Sequence, residues 1–193
     1  NDSNYIHVAC KNWDLSVIEI MQSTIFGIST NETSKKQLYT RFDYDQFFGT
    51  VINRFVVQAI IKKNLTVYGT GKQRTGLMSL QDSINSMVSI LDDKKFKKGH
   101  NIINHVTEKK YSINELATKV IKVAKLNGIS NLKISRTYDP RYENLRNKLS
   151  YKILGSYSDF SIKKTNFEYV LNNMFEEVKK NKDKIKLNVI PPT

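Results

Sequence analysis

The 193 residues are 39% hydrophobic and 25% charged, with only 8 glycines and 3 prolines, which supports one sizeable core and excludes a collagen-like or Gly/Pro-rich disordered chain. Lys and Arg number 31 against 18 Asp and Glu, a net charge of +13. No apolar run approaches the roughly 18 residues that a membrane-spanning helix needs, and the single cysteine, Cys10, excludes an internal disulfide.

In chain order, residues 3–12 can form a helix. Leu15–Met21 then reads as a buried strand, with an apolar signal that continues through Gln22–Phe26 to a turn at Gly27. Residues 28–45 are polar and irregular, a loop long enough to be functional. The clearest helix spans roughly 46–63, where Phe48, Val51, Ile52, Phe55, Val56, Ala59 and Ile60 share a stripe and Asn53, Arg54 and Gln58 fall largely off it. Leu65–Tyr68 is a short strand closed by Gly69, and a loop reaching Thr75 leads to another strand around Leu77–Leu80. Asp82 can cap the next helix, which should turn Ile84, Met87, Val88 and Leu91 inward. Asn101–Val106 is a strand, and Ser112-Ile113-Asn114-Glu115 is a capping box opening a helix that stops at Gly128. Leu132–Ile134 starts a further strand before Asp139-Pro140-Arg141. Thr165-Asn166-Phe167-Glu168 reads as a second capping box, in front of a helix carrying Phe167, Val170, Leu171, Met174, Phe175 and Val178. Strands alternating with helices predict an α/β fold.

The basic excess is uneven, with 13 basic and 9 acidic residues over 1–100 and 18 and 9 over 101–193. Much of it is lysine at helix ends or polar faces, as in Lys94–Lys98 and Lys179–Lys186. No helix-turn-helix, zinc-finger spacing or RNP-like aromatic cluster accompanies it, so neither a nucleic-acid nor a membrane partner is expected. The first residues, Asn1, Asp2 and Ser3, lack the features of a signal peptide, and one cysteine makes a reducing, cytoplasmic setting the default. His7, His100 and His105 lack metal-ligand spacing with one another or with Cys10, so no metal is expected. There is no Gly-x-Ser-x-Gly elbow, and Cys10 has no identifiable base. Gly69-Thr70-Gly71 follows a strand, but Arg74 stands where a dinucleotide fingerprint needs its third glycine. Lys72, Gln73, Arg74 and Thr75 remain a dense donor set. Guanidinium forks suit the paired oxygens of a diphosphate, and a plain basic hairpin fits the same spacing equally well.

Three stretches together carry a family resemblance: Gln22-Ser23-Thr24-Ile25-Phe26-Gly27; Arg41-Phe42-Asp43-Tyr44-Asp45 with Phe48-Gly49-Thr50 and Asn53-Arg54-Phe55; and Leu65 through Asp82. In this order they resemble the C-terminal half of an extended short-chain dehydrogenase/reductase of the NAD-dependent epimerase/dehydratase type. Within that superfamily they are similar to the UDP-sulfoquinovose synthase branch of sulfolipid biosynthesis. The resemblance is close over about residues 1–82, plausible to about 141, and returns at Lys182–Pro191.

The resemblance implies the C-terminal part of an NAD-binding Rossmann-type enzyme with its smaller α/β substrate-binding domain. Residues 1–27 and about 76–98 would end the Rossmann domain, about 28–75 and 99–193 would form the nucleotide-sugar domain, and the N-terminal NAD-binding half would be absent. Enzymes of this branch bind NAD and convert UDP-glucose plus sulfite to UDP-sulfoquinovose. Transient oxidation at the sugar C4 permits loss of water across C5–C6, sulfite adds to the unsaturated product, and NAD is regenerated. Their Gly-rich phosphate loop, catalytic threonine and Tyr-x-x-x-Lys pair lie upstream of the matching region, so this stretch alone should be inactive.

The resemblance also assigns roles. Gln22 would reach the sugar and the cofactor, and Ile25 would lie against the nicotinamide. Tyr44, Phe48, Gly49, Thr50 and Asn53 would surround the UDP-sugar. The backbone of Leu65, Thr66 and Val67 would read the uracil, with Gln73, Arg74 and Arg141 near the diphosphate or ribose. The implied partners are UDP-glucose, sulfite or a sulfite-delivering protein, and a second copy in a homodimer. Two departures stand out: the family's loop arginine falls one position later than Arg74, and the stretch after Glu143 is shortened. They leave room for another UDP-sugar epimerase or dehydratase of the superfamily, or for a non-catalytic binding module. A parallel sheet without its neighbours exposes apolar faces, so the 193 residues alone should be poorly soluble.

Overall fold

The structure is a computed structural model that describes residues 2–92, 96, 98–105, 110–139 and 164–190. Arg141, the shortened stretch after Glu143, Val106 and Pro191-Pro192 lie outside the described residues, as do Lys94, Lys95 and Lys97.

Helix α1 (Asp2–Trp13) leads into β1 (Ser16–Gln22), which pairs in parallel with β5 (Gly99–His105), Ser16 opposite Gly99 and Gln22 opposite His105. This seven-residue ladder ties residues 99–105 to residues 16–22. Helix α1 lies across the pair. Beneath it the Glu19 carboxylate accepts the Ser3 hydroxyl at 2.6 Å and meets His100 Nε2 at 2.7 Å. The Ser3 hydrogen bond first, and then His100, hold the Glu19 carboxyl below the usual carboxylate range.

A second sheet places β4 (Arg74–Ser79) between β2 (Thr24–Phe26), parallel to it, and β6 (Lys110–Ser112), antiparallel. In a third, β3 (Leu65–Tyr68) pairs in parallel with β7 (Ile134–Thr137). Helices α3 (Val51–Ile60), α5 (Ile113–Leu126) and α6 (Phe167–Lys180) pack on one another beside β3. Their apolar stripes supply the centre of the core, with Ile52, Phe55, Leu116, Leu171 and Phe175 fully buried. Each such side chain contributes roughly 1.5–3 kcal/mol.

The local chemistry fixes several boundaries differently from the sequence expectation. The 28–45 loop contains a short helix, α2 (Asn31–Lys35), opened by a reciprocal Thr30–Thr33 capping box. Helix α3 starts at Val51 rather than near 46, because Asp45 accepts the N–H groups of Phe47 and Phe48 at 2.7 and 2.8 Å and folds those residues into a turn. The Thr50 hydroxyl then caps α3 by accepting from the Asn53 N–H. Phe48 therefore leaves the apolar stripe and stands 76% exposed, whereas Arg54 and Gln58, read as off the stripe, are buried against β3.

Helix α4 (Leu80–Asp92) reverses the expected facing. Ser83, Ser86 and Ile90 are buried, while Ile84, Val88 and Leu91 are exposed. Its cap is the Ser79 hydroxyl, which accepts from the Asp82 N–H. The Asp82 carboxylate instead accepts both the N–H and the hydroxyl of Thr165, at 3.0 and 2.5 Å. That commits Thr165 to Asp82, and the cap of α6 is Asn166, accepting from the Tyr169 N–H. The Ser112–Glu115 capping box forms as expected, and α5 ends with Gly128 at φ +76, the left-handed conformation that stops a helix.

Candidate functional site

In α/β folds a ligand crevice forms outside the carboxyl ends of the parallel strands. Here those ends carry Gln22 (β1) opposite His105 (β5), and Tyr68 (β3) opposite Thr137 (β7). Gln22 is exposed at its strand tip, and its amide Nε2 donates to the buried Ser83 hydroxyl of α4 at 2.9 Å. This bond leaves the Gln22 carbonyl oxygen outside the Ser83 contact. Beside it, the Ser23 N–H donates to the His105 carbonyl at 3.0 Å, and the buried Ser23 hydroxyl has no hydrogen-bond partner among the described residues. His105 is fully buried, and burial pushes its imidazole below the ordinary histidine pKa, favouring the neutral ring. Ile25 sits half-buried in β2 opposite Met78. A hollow of about 320 Å³ follows β2, lined by both polar and apolar residues, among them Thr30, Gln81, Thr165, Ile28, Leu80 and Val170.

The second expected group gathers before and at the start of α3. Gly49 is packed so closely on the backbone of Tyr44 and Asp45 that a Cβ would overlap them. Thr50 caps the helix, and Asn53 Nδ2 donates to the Asp43 carbonyl at 3.0 Å. Both polar side chains thus shape the chain locally. The N–H groups of Phe48 and Phe47 hold the Asp45 carboxyl below its usual range. Arg41 stands 5.9 Å from the centre of the Phe48 ring and pairs with Asp43 at 2.7 Å. Tyr44 turns elsewhere: its hydroxyl accepts the Lys186 N–H at 2.7 Å, and its ring helps line an apolar hollow of about 250 Å³ with Phe42, Val57, Val178 and Ile185.

The third group surrounds β3. Leu65, Thr66 and Val67 are fully buried. The Thr66 N–H donates to Gln58 Oε1 at 3.1 Å, and the Thr66 carbonyl accepts from Arg54 at 3.3 Å. The main-chain donor and acceptor of Thr66, expected to read a nucleobase, are engaged by side chains of α3. Gln73 Nε2 donates to the Tyr68 carbonyl at 3.3 Å, leaving its buried Oε1 without a hydrogen-bond partner among the described residues. The Arg74 guanidinium donates to the Lys110 carbonyl at 2.8 Å and lies 3.5 Å from Glu115, so it braces β4 against β6 and α5. Sequence reasoning gave no site role to Ser83, Arg54, Gln58, Asn114 or Arg136. Asn114 sat in view inside the capping box, and Arg136 beside a predicted strand, but pairing either with the 69–73 loop needs the parallel β3–β7 register.

The described residues thus hold three polar groups, each organised by its own local hydrogen bonds. Gln22 with Ser23, and Gln73, offer unused acceptor or donor capacity suited to a ligand's amides and hydroxyls. Among the described residues no group of three or more His, Cys, Asp and Glu could hold a metal ion.

No profile of a known protein family matches the chain. In sequence it is 35% identical over 143 residues to the UDP-sulfoquinovose synthase of Sulfolobus acidocaldarius, an alignment covering 74% of this chain and 36% of that protein. The chain therefore spans about a third of the length of that relative. In structure it resembles a UDP-N-acetylglucosamine 4-epimerase from Methanobrevibacter ruminantium in complex with UDP-N-acetylmuramic acid, with a TM-score of 0.70 and 16% identity over 93% of this chain and 51% of that one. It also resembles the UDP-glucuronic acid 4-epimerase from Bacillus cereus in complex with UDP-glucuronic acid and NAD, with a TM-score of 0.60 and 18% identity over 92% of this chain and 50% of that one.

Proposed function

We propose, from a chain that is a sequence relative of the UDP-sulfoquinovose synthases and has the fold of the C-terminal part of the extended short-chain dehydrogenase/reductases, that it is the substrate-binding portion of an NAD-dependent enzyme converting UDP-glucose and sulfite to UDP-sulfoquinovose. The observation that carries this reading is Gln22, an amide fixed by Ser83 at the carboxyl end of a parallel strand pair, in a chain so related to a synthase. The residues present suit a nicotinamide: Gln22, Ile25 and the Ser23 hydroxyl, which has no partner among the described residues, combine an apolar wall with amide-pairing groups. Bound NAD would supply the transient oxidation at the sugar C4.

The chain's own task is to bind and orient. With its amide nitrogen on Ser83, Gln22 has a carbonyl oxygen that would accept from a sugar hydroxyl or the ring amide. Gln73 Oε1 is a second buried acceptor, suited to a ribose hydroxyl. Because α3 side chains engage the Thr66 main chain, nucleobase reading falls to Tyr68 and the loop after it rather than to Leu65–Val67. Arg74 contributes by bracing that loop's exit rather than as a free fork. The further partners in this reading are sulfite, or a protein delivering it, and a second copy of the complete polypeptide.

A second reading, a UDP-sugar epimerase or dehydratase without sulfite, is favoured by one observation: the loop arginine is displaced and engaged. The complete natural polypeptide incubated with UDP-glucose, with and without sulfite, separates the two by product mass. A sulfonated nucleotide sugar formed only with sulfite supports the synthase; a sulfite-independent epimer or dehydrated sugar overturns it. Gln22→Ala should lower turnover at least about tenfold, the effect of losing an orienting contact on a reacting sugar.

A further inference from the structure

Resting on the nucleotide-sugar reading, we propose that Arg136 and Asn114 are positioning residues that fix the Gly69–Gln73 loop in the shape that receives the nucleotide. The loop leaves the carboxyl end of β3 with Gly69 at φ +61 and Gly71 at φ +67, a conformation cheap only for glycine. Its own hydrogen bonds include Lys72 N–H to the Thr70 hydroxyl at 3.4 Å and Gln73 Nε2 to the Tyr68 carbonyl at 3.3 Å, and further ones come from outside it. One guanidinium nitrogen of Arg136 donates to the Gly69 and Thr70 carbonyls, at 3.3 and 2.8 Å, and the other donates to Asn114 Oδ1 at 3.3 Å. Asn114 Nδ2 in turn donates to the Thr70 carbonyl at 3.0 Å, and the Asn114 N–H to the Gly71 carbonyl at 3.1 Å. Gly71 lies so close to the Asn114 carboxamide that a Cβ would collide with it.

Three successive loop carbonyls are thus held by two residues, one from the strand paired with β3 and one from the first turn of α5. The far end of the loop is tied in the same way, the Ile113 N–H donating to the Gln73 carbonyl at 3.2 Å. The spread of donors explains why arginine stands at 136. A planar fork reaches two carbonyls and an amide oxygen at once, which the point charge of a lysine does not. With Arg74 engaged by Lys110 and Glu115, the fork at 136 holds the loop rather than a phosphate.

The test uses the complete natural polypeptide and its Arg136→Ala, Arg136→Lys and Asn114→Ala variants. Hydrogen exchange of the peptide covering residues 69–73 reports the loop, and titration with UDP reports the site. In all three variants loop exchange should quicken and the UDP Kd should rise, each by about tenfold, the scale of one or two net hydrogen bonds. The thermal midpoint should barely move, because the contacts are exposed. Unchanged loop exchange overturns the proposal, as does faster exchange with unchanged UDP affinity. Full affinity in Arg136→Lys also overturns it, since charge rather than the fork would then be what matters. If the unmodified protein binds no UDP, the nucleotide reading fails by itself, and loop exchange alone decides whether the fork orders the loop.

Discussion

Gln58 has no solvent-exposed surface and spends both ends of its amide on one residue, accepting the Thr66 N–H and donating to the Thr66 hydroxyl at 2.8 Å. Gln58→Leu keeps the volume but strands a buried main-chain donor, and should lower stability by about 1–3 kcal/mol, read from the urea midpoint. The sequence put Gln58 off the apolar stripe, which is right for its chemistry and wrong for its burial. A 3.6-residue pattern scores hydrophobicity and cannot register a polar group whose partner is a strand edge. His105 presents a different case. Buried and neutral, it has a folded pKa below the ordinary 6.5. The unfolded chain binds a proton near 6.5 and the folded chain does not. Its contribution to stability is therefore intact above that pH and lost as pH falls from there toward the folded pKa. His105→Asn should flatten the decline in urea midpoint between about pH 7.5 and 5.5.

At the level of elements, the Asp82 carboxylate ties α4 to Thr165, the residue before the α6 cap. Asp82→Ala removes the acceptor of both Thr165 hydrogen bonds and should cost about 2–4 kcal/mol in urea unfolding, because bonds to a charged group exceed neutral ones. Most elements were legible: the Ser112 capping box, the Gly128 stop and the alternation of strands with helices all follow from rules that act within a few residues. What escaped depended on distant groups. Helix α4 carries two stripes, one of Ile84, Val88 and Leu91 and one of Ser83, Ser86 and Ile90. Hydrophobicity favoured the first, but small serines let the helix approach the strands closely, and Ser83 meets Gln22 there. The site was legible to the same degree. Gln22 and the loop carrying Gln73 were visible as residue types, whereas the engagement of Thr66 by Arg54 and Gln58 needed the packing of α3 on β3.

Over the whole molecule, groups of three apolar side chains remain in view on α4 (Ile84, Val88 and Leu91) and on α1 (Tyr5, Val8 and Trp13). Apolar faces of this kind mark contact surfaces. The 193 residues prepared alone should therefore self-associate in size-exclusion chromatography at micromolar concentration. A monodisperse preparation with a cooperative melt would contradict this. The pairing of β1 with β5 also sets a timetable for synthesis. Roughly eighty residues separate the two strands, so β1 leaves the ribosome long before its partner exists. At about 5–20 residues per second that interval is about 4 to 16 seconds. Throughout it, the Val17–Met21 run waits unpaired, long enough for a chaperone that captures extended apolar segments to reach the nascent chain first.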